Sequence, residues 1–119
     1  VDFENLKWSR YSESEIGFYY RHKEKKTKYF FGIWYDLWEK YEIPLSLCLS
    51  KSGNGASDWN IKLRKYISEN YNDGIVIKEY DGWTCILFEY SFFKFDSGDD
   101  SKALSDMFYY VTEYADQIA

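Results

Sequence analysis

The chain has one histidine, His22, one proline, Pro44, two cysteines and one methionine. No apolar run approaches the roughly 18 residues that a membrane-spanning helix needs. No charged start leads into an apolar stretch of the kind that directs secretion. A single histidine excludes histidine-built zinc sites and leaves nucleophilic triads only His22 as a base, which lies among cations that disfavour its protonated form and repel a metal. Two cysteines are too few for a disulfide scaffold or a cysteine-built zinc site. Cys48 and Cys85 each sit in a strongly apolar segment, where a small buried thiol is the common outcome; a bridge between adjacent strands is the alternative. This cysteine usage points to a reducing cytoplasm. Basic charge is also scarce: 15 Lys and Arg face 20 Asp and Glu, for a net charge of −5. Residues 81–119 hold only two basic against eight acidic groups. Such a balance argues against a general duplex-DNA binder, which carries a basic footprint.

At 119 residues the chain has the size of one domain, and size scaling lets it bury about two-thirds of its unfolded surface. The expectation is a single domain over 1–119. Val1 in place of a starting Met adds the expectation of a processed chain or a domain excised from a longer protein.

Glu15 to His22 and Lys28 to Tyr35 are rich in aromatic and β-branched residues and predict two strands. The charged stretch between them reads as a hairpin connection. Asp36 to Tyr41 reads as a short helical turn ended by Pro44. Pro44 to Leu49 predicts a third strand, with Leu45, Leu47 and Leu49 on one face and Ser46 and Cys48 on the other. Ser57 or Asp58 is the expected cap of a helix whose stripe is Trp59, Leu63, Tyr66 and Ile67, closed by Asn72-Asp73-Gly74. Ile75 to Glu79 and Thr84 to Phe93 are expected strands joined by the hairpin signal Asp81-Gly82. Asp99, Asp100 and Ser101 open a last helix with the stripe Leu104, Met107, Phe108, Val111, Ala115 and Ile118. The predicted fold is α+β, an antiparallel sheet of about five strands with two helices on one face, in the order β-β-β-α-β-β-α.

What the chain has in excess is aromatic residues: 9 Phe, 13 Tyr and 5 Trp. In the second strand Tyr29, Phe31, Ile33 and Tyr35 share one face while Phe30 and Trp34 share the other; in the first, Tyr19 opposes Phe18 and Tyr20. Two helical stripes cover only one face, so the other is either covered by something else or is a recognition surface. Tyr19, Trp34 and Trp38, with Arg21 and Lys23 beside them, form the candidate binding set, and a protein partner or a second copy of the chain is the expected occupant. Single-stranded nucleic acid is the alternative, its bases stacking on the sheet aromatics beside the basic hairpin 21–28.

Catalysis has little to stand on. Glu89 interrupts an apolar strand, where a carboxylate can act as an acid or base; a small carboxylate-dependent enzyme is the second alternative, against pairing with a cation such as Lys78. The junction Ser50 to Ser57 joins a strand to a helix start, but Lys51 precedes both glycines, unlike a phosphate-binding Walker loop. No cofactor, metal ligand set or catalytic group is expected.

The stretch Tyr29-Phe30-Phe31-Gly32-Ile33-Trp34-Tyr35-Asp36-Leu37-Trp38, followed by Pro44-Leu45, resembles C-terminal segments of uncharacterised bacterial proteins grouped with the PD-(D/E)XK nuclease-like superfamily. The resemblance covers about 20 residues and implies an auxiliary domain of a bacterial protein, with defence among its expected settings. Glu24-Lys25-Lys26 matches the letters of that family's Glu-x-Lys element but lies in a polar loop, so no nuclease residue carries over to this chain. The resemblance places any nuclease chemistry ahead of Val1.

Overall fold

The computed structural model describes residues 7–9, 15–21, 27–80, 82–93 and 100–119. Its sheet strands are β1 (Lys7–Ser9), β2 (Glu15–Arg21), β3 (Thr27–Trp34), β4 (Leu45–Lys51), β5 (Ile75–Tyr80) and β6 (Trp83–Phe88). They form one antiparallel sheet in the order β1-β2-β3-β4-β6-β5. The helices are α1 (Tyr35–Tyr41), α2 (Ala56–Asn70) and α3 (Asp100–Gln117). The α+β class and the antiparallel sheet agree with the expectation. The helix count does not, because the turn after β3 is a full helix, and β1 adds a three-residue edge strand too short to show an alternating pattern.

Helices α2 and α3 lie on the first face. Tyr29, Leu47, Leu49, Ile86 and Phe88 from the strands meet Trp59, Leu63 and Ile67 of α2 and Met107, Val111 and Ala115 of α3, all buried. The two helical stripes read from the sequence are therefore core stripes. Polar atoms carried into this layer are satisfied across it: the Trp59 indole N–H donates to the Ala115 carbonyl at 2.9 Å and the Tyr29 hydroxyl to the Thr112 carbonyl at 3.1 Å. The Thr27 hydroxyl donates to the carboxylate of buried Asp116. Each such bond removes the penalty of a buried, unmatched polar group.

Two boundaries differ from the sequence reading. Helix α2 is preceded by Gly55 in the left-handed region (φ 84°), with no side-chain cap, so Ser57 and Asp58 already lie inside the helix. Strand β6 stops at Phe88 rather than Phe93, because β5 begins at Ile75, the register partner of Phe88, and offers nothing further to pair with. The Glu89 N–H closes the ladder on the Gly74 carbonyl at 2.9 Å, and a single 3₁₀ turn follows over Tyr90–Phe92.

The second face is covered in part by α1. Asp36 in its first turn and Lys40 in its last suit the helix dipole. Glu42 ends it in the left-handed region (φ 61°), its N–H donating to the Trp38 carbonyl at 2.8 Å, and Pro44 follows two residues later. Leu37 turns inward onto Phe30, Cys48, Cys85 and Leu87, with Tyr19, Trp34, Tyr41, Ile43, Val76 and Trp83 around them. On β2, Gly17 makes room for this layer: a Cβ there would lie 2.7 Å from the Phe30 ring and 2.4 Å from the Phe31 carbonyl oxygen. Gly17→Ala is expected to lower stability by about 1–3 kcal/mol through overpacking, read as a fall in urea midpoint; an unchanged midpoint would show that Phe30 does not rest on β2.

Candidate binding site

On the second face the side chains of β4 are small, Ser46, Cys48 and Ser50, while the strands on either side carry rings. Phe30 and Trp34 project from β3 and Trp83 from β6. Trp34 meets Phe30 edge-on at 5.7 Å and Trp83 edge-on at 5.9 Å between ring centroids. A low floor between tall walls makes a concavity, and α1 closes one side of it. Its volume is about 360 Å³, and it is lined by Trp34, Asp36, Leu37, Lys40, Tyr80, Trp83 and Cys85. Apolar atoms make up most of the lining.

The hairpin that supplies Tyr80 and Trp83 is held from the opposite face. Asn60 of α2 is buried; its amide donates to the Tyr80 carbonyl at 3.3 Å, and its carbonyl accepts from the Thr84 hydroxyl at 2.7 Å. Lys51 of β4 adds a backbone bond to the Gly82 carbonyl at 3.3 Å. Both ends of the turn are thereby fixed, and with them the far wall of the concavity.

One rim is cationic. Lys40 Nζ lies 5.3 Å and Lys78 Nζ 4.6 Å from the centre of the Tyr41 ring. The Tyr80 hydroxyl donates to the Tyr41 hydroxyl at 3.2 Å. That hydrogen bond first, and then Lys40 and Lys78, hold the Tyr41 phenol below its ordinary value. Partial burial and the role of donor push the Tyr80 phenol the other way.

The two cysteines face each other directly, Cys48 opposite Cys85. The bonds Glu89 N–H to Gly74 and Lys51 N–H to Gly82 fix the alternation of the ladders on both sides of β6. Both place Cys48 and Cys85 at a non-hydrogen-bonded position, where opposite side chains come closest. Both are free thiols and buried. Burial, and then the adjacent Cys85, push the Cys48 thiol well above its ordinary value, so it stays protonated and a poor nucleophile. The expectation of small buried thiols describes them correctly.

The candidate residues from the sequence separate in space. Trp34 lines the concavity. Tyr19 stands on the same face, its ring 5.2 Å from Phe30 and its hydroxyl donating at 2.8 Å to the buried Glu15 carboxylate. Trp38 is 44% exposed, stacked on Tyr35 at 6.4 Å, and does not line the concavity. Arg21 ends β2 opposite Lys28. Lys23 and the rest of the basic stretch 22–26 lie outside the described residues. Glu89 is half-buried at the end of β6, away from the concavity, and Lys78 stands opposite Cys85 rather than beside it. Among the described residues no three His, Cys, Asp or Glu side chains converge, and no helix is long and apolar enough to cross a membrane. Sequence reasoning missed Tyr41, Lys78 and Tyr80; Trp83 was the one signal available, a bulky ring directly after a hairpin turn.

No family model, curated protein or solved structure matches this chain.

The rim arrangement has a spectroscopic consequence. Absorbance titration near 295 nm is expected to show one tyrosine ionising below pH 10, and Tyr80→Phe is expected to move that step upward by removing the donated hydrogen bond. A step unmoved by Tyr80→Phe would place the cause elsewhere.

Proposed function

We propose that this chain is a non-catalytic binding module and that its site is the concavity on the second sheet face. The observation that carries the reading is an open cavity of about 360 Å³ walled by Trp34, Leu37, Trp83 and Tyr80, with few polar groups at its rim. Ligand sites of about 300–1,000 Å³ are typically of this kind, mostly apolar with a few placed polar groups. The chemistry around it supports binding over reaction. The Cys48 thiol stays protonated, and Glu89 stands apart from the concavity. Trp34, taken from the sequence as a recognition residue, keeps that role here, and Trp83 joins it. An auxiliary domain of a larger bacterial protein is the setting we propose, following the resemblance of residues 29–38.

The neutral fluorophore N-phenyl-1-naphthylamine has the size and apolarity to test the reading. A single saturable site is expected, seen as a rise in emission. Trp83→Ala is expected to weaken binding at least tenfold, about 1.4 kcal/mol, with the far-ultraviolet circular dichroism unchanged. Emission that rises without saturating, or an equal affinity in the variant, would remove the concavity as the site.

A further inference from the structure

The reading of the second face as a binding site leaves open what chemistry it accepts, and the rim answers that. We propose that the concavity binds a small organic acid, with an aryl-sized apolar body between Trp34 and Trp83 and its carboxylate at the rim beside Lys40, Lys78 and the Tyr41 hydroxyl. This inference rests on the binding-module reading above.

Lys40 lines the concavity from α1, and Lys78 of β5, beside the lining residue Tyr80 on the same face, stands with it against the same Tyr41 ring. Among the described residues neither lies within 4.0 Å of a carboxylate; the ion pairs present join Lys62 to Asp58, Arg64 to Glu79, Lys65 to Glu69 and Lys102 to Asp106. In a chain with excess acid, two neighbouring lysines without a carboxylate partner form a local reversal of sign. Among the described residues one carboxylate lines the concavity with Lys40, that of Asp36, which is exposed and makes no ion pair with Lys40 one turn along the helix. The balance of these three groups is one positive charge. The Tyr41 phenol is pulled down first by the Tyr80 hydrogen bond and then, to a smaller extent, by Lys40 and Lys78.

The hydroxyl pair adds direction. Tyr80 donates its one O–H to Tyr41 at 3.2 Å, which leaves the Tyr41 O–H as the donor that a rim anion meets beside the two ammonium groups. An aromatic cage for a quaternary ammonium ion would use similar walls, but the two lysines repel that ligand. Apolar body and negative end are the combination that satisfies walls and rim together.

Three ligands with one body separate the outcomes: 4-phenylbutyrate, its neutral amide, and 4-phenylbutyl-trimethylammonium, each titrated calorimetrically into the full chain at low salt. The carboxylate is expected to bind at least tenfold more tightly than the amide, and the ammonium compound more weakly than both. Lys40→Met with Lys78→Met is expected to remove the carboxylate's advantage, bringing the ratio of carboxylate to amide affinity from at least ten to about one. In the unaltered chain, 0.5 M salt is expected to narrow the difference through screening, a readout independent of the variant's folding. Equal affinities for carboxylate and amide, or a preference for the ammonium compound, would overturn the proposal while leaving the binding-module reading in place. Failure of all three to bind would overturn both.

Discussion

A sheet with apolar side chains on both faces needs cover on both, and among the described residues one long pair of helices and one short helix provide it. Helices α2 and α3 close the first face with two continuous stripes. The second face is left to α1, whose seven residues make a rod about 10 Å long at 1.5 Å per residue. Six strands span about 24 Å at 4.8 Å spacing. The cover is therefore shorter than what it covers. Leu37 and Tyr41 seal the middle, over Phe30, Cys48, Cys85 and Leu87, and the remainder stays open as the concavity.

The side chains beneath α1 fit this mismatch. Cys85 is the small residue of the lining, and the rings of Trp34 and Trp83 stand with it around the concavity. Gly17 plays a related part on β2 by letting the Phe30 ring lie against the backbone. The hairpin 80–83 is fixed from the first face by Asn60, so the tightly packed core holds the wall of a site on the other side. Packing on one face thus positions a wall of the concavity on the other.

Much of this was legible in the sequence, for local reasons. The alternation of Leu45, Leu47 and Leu49 against Ser46 and Cys48 gave the faces of β4. The stripes of Trp59, Leu63 and Ile67, and of Met107, Val111 and Ala115, gave the two core helices. Rings on both faces of β3 raised the question of what covers the second face. The answer, α1, was visible only as a short turn, because seven residues carry too few apolar positions to reveal which face they take. The rim was not legible: Tyr41 and Tyr80 are 39 positions apart and meet only because α1 folds back over a sheet whose last strand, β5, sits beyond β6. Lys78 had a plausible local partner in Glu89, but register sets it opposite Cys85, four positions short of Glu89 along the chain. Trp38, adjacent in sequence to the residues that line the site, points elsewhere because a helix separates neighbours by about 100°.

The central claim is that the second face holds an open site while the first is a sealed core. Nuclear magnetic resonance of the tryptophan indole N–H groups tests it most directly, following their signals as 4-phenylbutyramide is added. The account predicts that the Trp34 and Trp83 signals shift saturably while Trp59, buried on the first face and bonded to the Ala115 carbonyl, stays fixed. A shift of Trp59 in step with them, or none at Trp34 and Trp83, would contradict it.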